Sequence, residues 1–494
     1  MPDKQPDLDL STLPLRKLYI DGQWVVPAGD SLIEVVSPDT EEVVARVAEA
    51  SREDVERATK AARAAFDKGP WPRLTVAERI GYVRRLSENL QARVDDIALC
   101  WSLQIGVPYS LAKAFTPYLV NTIDPYIKIA EEMKFVEQRP VDGAGVGLVA
   151  YEPVGVVAAI APWNVPVNTM LHKIAPALIA GCTVIMKPSP ETPLEAYIMA
   201  QCAHDAGFPD GVINMLCANR DVSDYLVQSE RVDKVSFTGS VAAGKRIASV
   251  CADRVARVSL ELGGKSAAII LDDYDLDEAA GELVSGIAGL SGQNCALLAR
   301  AFVSRERHDE LVAKMKSRAE SLQVGHTFDE NTVVGPLATK RQLARVEELI
   351  AAGKAEGATL VTGGERPAHL ERGYFIEPTI FANVSNGMRI AREEIFGPVI
   401  CVIPYDDIDH AIDMANDSDF GLAGAVFTRD IEKAYAVARR IRTGTVSQNG
   451  SRADFSLGFG GFKQSGLGRE GGAVGLRSYL EAKTILLDAV PDML

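Results

Sequence analysis

No stretch of this chain stays apolar long enough to cross a membrane. The most apolar run, Val154 to Ala161, falls far short of the roughly 20 residues that a span requires. Basic charge is also scarce, with 52 Lys and Arg against 67 Asp and Glu. The resulting net charge of -15 argues against nucleic acid or an anionic membrane as a partner, although a small anionic ligand needs only a local basic site. The 7 cysteines (Cys100, Cys182, Cys202, Cys217, Cys251, Cys295 and Cys401) are odd in number and scattered. Neither a disulfide framework nor a Cys/His metal site is expected from such spacing. Met1 to Lys17 is acidic and contains proline, without the apolar core of a signal peptide, so a cytoplasmic location is expected.

What is present is ordinary globular composition, 47% hydrophobic and 24% charged, over 494 residues. That length exceeds what one core supports, so two or three domains are expected. Leu18-Tyr19-Ile20 and Trp24-Val25-Val26 flank Asp21-Gly22, a hairpin signal. Ser51 is placed to cap a first helix, and Thr75 with Glu78 makes a capping box for a second that carries Ile80, Val83, Leu90, Val94 and Ile97 on one face. From Gly155 onward short apolar strands alternate with helices. Val156 to Ile160, Thr183 to Met186, Gly211 to Met215 and Val232 to Phe237 are strands, with helices at Met170 to Ala180, Pro193 to Ala206, Val222 to Gln228 and Ala242 to Ala252. This is the pattern of an α/β fold with a parallel, doubly wound sheet. A second α/β series opens at Ala267 to Leu271, and an extended Lys483 to Leu487 closes the chain.

Ligands of such sheets bind beyond the C-terminal ends of the strands, and four ends here are chemically unusual. After Ile160 comes Ala161-Pro162-Trp163-Asn164, where Asn164 is either an amide donor to an oxyanion or a turn former. Lys187-Pro188-Ser189 offers either a ribose ligand or a solvated edge lysine. Gly239-Ser240 opens a helix as a phosphate site or as a plain cap. Gly239, Gly244 and Lys245 also match most of a P-loop, but Arg246 stands where a magnesium-binding Ser or Thr is needed. The fourth end is Glu261-Leu262-Gly263-Gly264, a carboxylate in an apolar strand. Such an acid is costly to desolvate unless it is paired or used. Gly292-Gln293-Asn294-Cys295 follows, with its thiol in a small polar setting.

Together these motifs resemble the aldehyde dehydrogenase superfamily, over nearly the whole chain and in the family order. Glu393-Glu394-Ile395-Phe396-Gly397-Pro398 and Gly460-Gly461-Phe462-Lys463-Gln464-Ser465-Gly466 complete the set. The resemblance implies Cys295 as nucleophile, Glu261 as the base that activates water, and Asn164 with the Cys295 N–H as oxyanion donors. It implies a nicotinamide cofactor, NAD, held by Ile160, Ala161, Pro162, Trp163, Lys187, Ser189, Gly239, Ser240, Gly244, Leu262, Gly263, Glu394 and Phe396. The product is a carboxylic acid, no metal is involved, and the chain forms a homo-oligomer, dimer or tetramer. A cofactor domain (1–134 and 152–262), a catalytic domain (263–460) and a β oligomerisation element (135–151 and 479–494) are the implied architecture.

Three positions depart from the family pattern. Pro190 stands where many NAD-preferring members have Glu, with Glu191 one place later. The usual glycine-rich loop after the Val212 to Leu216 strand is replaced by Cys217-Ala218-Asn219-Arg220. Both changes lean toward tolerance of NADP, while NAD remains the expectation. The substrate positions Val165, His172, Asn294 and Phe459, with Gly289 nearby, suggest a roomy, mostly apolar pocket for bulky aliphatic, terpenoid or aromatic aldehydes. Two rival readings are a CoA-acylating dehydrogenase, which does not need Glu261, and a noncatalytic binding protein on the same fold.

Overall fold

The computed structural model describes residues 10–143 and 145–492. Residues 1–9 of the segment read above as leader-free lie outside these, as do Ala144 and residues 493–494 of the expected β element. The β–α alternation forms an eight-stranded sheet, ordered Gln23–Val25, Leu18–Ile20, Ile213–Met215, Thr183–Lys187, Val156–Ile160, Lys234–Thr238, Arg257–Glu261 and Gly466–Leu467. The strands from Ile213–Met215 to Arg257–Glu261 run parallel, and antiparallel strands close both edges.

Alternation along the central strand explains its burial on both faces. Val157 and Ala159 pack with residues of the helices Val76–Gln91, Pro166–Ala180 and Leu194–Asp205. Val156, Ala158 and Ile160 point the other way, into Val55, Ala58 and Ala62 of Arg52–Asp67 and Ile247 and Val250 of Val241–Asp253.

A second, seven-stranded sheet is ordered Thr359–Thr362, Thr379–Ala382, Val399–Tyr405, Arg300–Ser304, Ala267–Ile270, Ala423–Phe427 and Thr445–Gln448, parallel except for its first strand. A third sheet pairs Leu480–Leu487 with Val146–Pro153 and Val136–Arg139, all antiparallel, and leaves Leu486 and Leu487 exposed. Among the described residues no helix is long and apolar enough to cross a membrane.

The early helices depart partly from the sequence expectation. Both capping boxes form, Ser51 with Asp54 and Thr75 with Glu78. The second helix, however, stops at Gln91, and Val94 and Ile97 belong to a separate helix, Val94–Ile105. That helix is buried on every side from Ile97 to Ile105, so its sequence carries no amphipathic period to separate it from its neighbour. Tyr109–Val120, Ile123–Glu132 and the hairpin Leu32–Val36 with Val43–Ala48 were not expected at all.

Asp54 does more than cap. Its fully buried carboxylate accepts from Ser51 N (2.9 Å), Ser51 Oγ (2.8 Å) and Ala28 N (3.1 Å) and pairs with Arg57, tying the segment before the hairpin to the helix. Asp54→Ala removes the acceptor of two part-buried N–H groups, a loss of about 0.5–1.5 kcal/mol for each hydrogen bond. The expected outcome in a thermal scan is a clear drop in Tm with kcat/KM of the folded enzyme unchanged. An unaltered Tm contradicts it.

Candidate active site

Sheet register brings the unusual strand ends side by side. Ile160 pairs with Lys187 and with Phe237, and Thr238 pairs with Glu261. From Glu261 the chain enters a turn held by Leu262 N, which donates to Ser465 O at 2.8 Å. The next two residues are glycines because other groups come too close for a side chain. A Cβ on Gly263 lies 2.2 Å from Glu394 Oε2, and one on Gly264 lies 2.3 Å from the Cys295 carbonyl. The catalytic candidates from three chain segments thus meet at one turn.

Cys295 is positioned by strained backbone. After the helix Leu276–Ala288 the chain passes through left-handed conformations at Leu290 (φ 51°), Ser291 (φ 53°) and Gly292 (φ 70°). The two non-glycine residues each cost about 1–2 kcal/mol there. Hydrogen bonds offset this. Ser291 Oγ donates to Gly335 O (2.7 Å), Gln293 Nε2 donates to Leu290 O (3.0 Å), and Gln293 Oε1 accepts from Ala338 N (2.9 Å). Asn164 is anchored on both sides, its carbonyl accepting from Trp101 Nε1 at 2.8 Å and its Nδ2 donating to Gln293 O at 3.0 Å. Phe396 is also left-handed (φ 57°), and Gln342 Nε2 holds the backbone by donating to Ile395 O (3.0 Å) and Phe396 O (2.8 Å). Its ring meets that of Trp163 edge-on, with centroids 5.3 Å apart.

These residues surround a cavity of about 710 Å³. Its wall includes Pro162, Trp163, Asn164, Val165, His172, Gly239, Ser240, Glu261, Leu262 and Gly263. Asn294, Cys295, Glu394, Phe396 and Phe459 complete the expected set there. Ile160, Ala161, Lys187, Ser189 and Gly244 do not line it. Ala161 N donates to Lys187 O (3.2 Å) at the neighbouring strand end, and the Ser189 hydroxyl bonds the Glu191 carboxylate. Gly244 lets its helix press on Leu262, whose side chain lies 2.5 Å from where a Cβ stands. Gly289 ends its helix away from the cavity wall, with open space beside it.

Adjacent acids divide their work. Glu393 forms ion pairs with Arg345 and Arg389, whereas Glu394 turns inward and accepts from Gly264 N at 3.0 Å. Ser240 is at once cap and cavity residue, accepting from Ala243 N at 3.3 Å. Arg246 is occupied by Asp224 at 3.1 Å, and Arg220 is exposed.

Three carboxyl groups, Glu261, Glu394 and Glu470, and two arginines, Arg341 and Arg345, line the cavity. Burial and the neighbouring Glu470 push Glu261 well above the usual carboxyl range, with Lys173 and Arg469 opposing, and Glu261 Oε2 has no hydrogen-bond partner among the described residues. Burial raises Glu394 to about 7. The half-buried Cys295 thiol is pushed up to about 12 by burial and then by Glu394 and Glu261. Burial lowers Lys187 to about 8, with Glu191 pulling the other way.

Sequence reasoning missed Lys173, Glu470, Phe455 and Leu119. The fully buried Lys173 forms an ion pair with Glu470, and its Nζ donates to Thr238 Oγ1 at 2.6 Å. Glu470, Phe455 and Leu119 line the cavity. The spacing of Phe455 and Phe459 was the one available signal. Among the described residues no group of His, Cys, Asp and Glu could hold a metal ion.

Comparison with known proteins fits this arrangement. A sequence model of the aldehyde dehydrogenase family matches residues 24–485. The chain is 41% identical over 477 residues to geranial dehydrogenase of Castellaniella defragrans, covering 96% of this chain and 99% of that one. Its fold matches a cysteine-to-alanine mutant of aldehyde dehydrogenase C from Pseudomonas syringae, solved with NAD+ and octanal, at TM-score 0.92 and 41% identity over 98% and 99% of the two chains. An aldehyde dehydrogenase of Mycobacterium tuberculosis bound to NAD+ matches at TM-score 0.93 and 41% identity, over 96% and 98%. With the motif order, the sheet topology and these matches in agreement, the chain belongs to the aldehyde dehydrogenase family.

Proposed function

We propose that this protein is an NAD-dependent aldehyde dehydrogenase that releases a carboxylic acid by hydrolysis of a thioester on Cys295. One observation carries the reading: the Cys295 thiol and the unpartnered carboxylate of Glu261 share the wall of one cavity at the strand ends. A base that activates water is what a CoA-acylating enzyme does not require, and its burial beside a thiol is what a binding protein has no use for.

The residues fit a dinucleotide. Lys187 presents a buried ammonium that makes no hydrogen bond to another described residue, Ser240 stands at a helix N-terminus, and Glu394 and Phe396 are locked at the cavity. Lys187 and Ser240 would hold the adenosine ribose and the pyrophosphate, and Glu394, Phe396 and Trp163 the nicotinamide end, with solved relatives carrying NAD+. When bound, NAD+ supplies the hydride acceptor that turns the thiohemiacetal on Cys295 into a thioester.

The protein's own residues do the rest. The Cys295 thiol is protonated at rest, so Glu261 takes its proton as sulfur attacks the aldehyde carbon. The second Asn164 amide proton and the Cys295 N–H receive the oxyanion, each worth on the order of 10²–10³ in rate. Glu261 gives that proton up to solvent through the cavity, then draws one from the water that attacks the thioester and returns it to the Cys295 sulfur as the C–S bond breaks and the acid leaves. The aromatic wall of Phe455 and Phe459, with Val165 and Leu119, suits bulky apolar or aromatic aldehydes, in keeping with the geranial and octanal of two relatives. The exposed edge strand Leu480–Leu487 suits pairing between subunits, as dimer or tetramer.

Three outcomes test the reading. Cys295→Ala abolishes aldehyde-dependent NAD+ reduction, while Glu261→Gln slows hydride transfer but slows deacylation more, so acyl-enzyme accumulates and steady-state turnover falls about 10²–10⁴-fold; wild-type turnover by Cys295→Ala sinks the assignment. Because burial and then Glu394 and Glu261 push the thiol up to about 12, alkylation of Cys295 by iodoacetamide should climb by about tenfold per pH unit from neutrality. A fast, pH-independent reaction at neutral pH contradicts the protonated resting state. Finally, Glu191 acts on Lys187 and is bridged to Arg341 at 3.2 Å, so a 2′-phosphate brought to Lys187 meets a carboxylate. Steady-state kinetics should give NAD+ the higher kcat/KM, and Glu191→Gln should narrow the gap; an NADP+ advantage in the wild type overturns the preference.

A further inference from the structure

The carbonyl of Asn164 depends on a distant side chain for its hydrogen bond. Residues 161–165 lead from the strand end at Ile160 to the helix Pro166–Ala180, and Pro162 and Pro166 take two N–H groups out of the connection. The helix supplies no replacement, because its first turn closes on Val165, whose carbonyl accepts from Thr169 N at 3.1 Å. Among the described residues the Asn164 carbonyl accepts from no backbone N–H, and Trp101 Nε1 donates to it at 2.8 Å. Without that bond a buried acceptor is orphaned.

Trp101 is a firm anchor. It lies in the helix Val94–Ile105, is 4% exposed, and packs in one cluster with Ala98, Ile105, Val107 and Ala112. Val165, the neighbour of Asn164, packs against the same cluster. The gap that Trp101 borders together with Leu119 and Val165 is about 10 Å³, room for no more than one water. The connection therefore has no space to settle into and no second donor to turn toward. At the other end of Asn164, Nδ2 donates to Gln293 O at 3.0 Å. One anchor fixes the backbone and the other fixes the amide, so the second amide hydrogen is left with a single orientation. Trp101 itself is not part of the cavity wall, whereas Asn164 and Cys295 are.

We propose that Trp101 is a positioning residue for aldehyde oxidation: by donating to the Asn164 carbonyl it fixes the amide that receives the oxyanion. This rests on the aldehyde dehydrogenase reading, which gives the Asn164 amide that task. Trp101 then acts on the rate of the chemical step and not on the binding of the cofactor, because the bond it makes reaches the reaction only through Asn164.

The test exchanges the indole N–H and little else. 3-Benzothienylalanine, incorporated site-specifically at position 101, keeps the bicyclic outline and carries sulfur in place of the N–H. Trp101→Phe removes the donor by ordinary mutagenesis. First-turnover NADH formation from benzaldehyde, followed after rapid mixing at saturating NAD+, reads hydride transfer before product release. In both variants it slows by about tenfold, less than the loss of an oxyanion donor outright. On an Asn164→Ala background, already about 10²–10³-fold slower, the same exchange adds less than about twofold, since the amide it acts through is gone. NADH affinity, measured by fluorescence titration, stays at the wild-type value, whereas a general loosening of the cleft weakens it. An unchanged first-turnover rate in the benzothienylalanine enzyme overturns the proposal. So does an equally large loss on the Asn164→Ala background, or a parallel loss of NADH affinity. The slow rate of Asn164→Ala belongs to the dehydrogenase reading, so that loss beside an unaffected exchange at position 101 overturns the role of Trp101 alone.

Discussion

The turn after Glu261 has to pass between a carboxylate and a peptide carbonyl, and only residues without side chains can make that passage. Glu394 lies on one side, closed against Gly263, and the Cys295 backbone lies on the other, closed against Gly264. The base, the thiol and the acid that faces the cofactor side are therefore spaced by van der Waals contact rather than by flexible loops. The supporting hydrogen bonds work to the same end. Gln293 and Ser291 hold the left-handed approach to Cys295, and Gln342 holds the left-handed Phe396. Backbone strain of this kind persists only where the surroundings over-determine it, and here it clusters at the cavity.

Packing so many acids around one thiol has an electrostatic consequence. Glu261 and Glu394 both oppose ionisation of Cys295, and Glu470 opposes ionisation of Glu261. The free site therefore favours the neutral forms of Cys295 and Glu261. Lys173 is the counterweight. It is fully buried, bound to Glu470 and Thr238, and its charge favours the ionised form of Glu261. Removing one partner of such a buried pair strands the other, at a typical cost of about 3–5 kcal/mol.

The sheet and the place of the candidate site were legible in the sequence for a common reason. Short strands such as Val156–Ile160 announce themselves by apolar runs ending in glycine or proline, and strand ends are where an α/β sheet places its ligands. Glu261 stood out because an acid in an apolar strand violates composition, and the family motif singled out Glu394, which turns inward while Glu393 pairs with arginines. Lys173 was invisible because a lysine in an apolar helix reads as a solvated residue until its partner, nearly three hundred positions away, comes into view. The helix Val94–Ile105 was merged with its predecessor because complete burial erases the period that marks a helix boundary. Gly244 illustrates a motif residue whose place is packing, since it lets a helix rest on Leu262 without touching the cavity.

Most of the polar atoms that enter the cavity are already engaged. Asn164 is bonded to Gln293, Thr169 Oγ1 to Val165 O, and Asn168 Nδ2 to Thr122 Oγ1. Ring faces supply much of the remaining surface, and ring faces discriminate weakly between aldehydes of similar size. Selectivity in such a pocket falls to the few atoms that remain unpaired, because leaving a buried polar atom without a partner costs more than losing an apolar contact. Among the described residues that line the cavity, Glu261 Oε2 and His172 Nε2 are buried side-chain atoms without a hydrogen-bond partner.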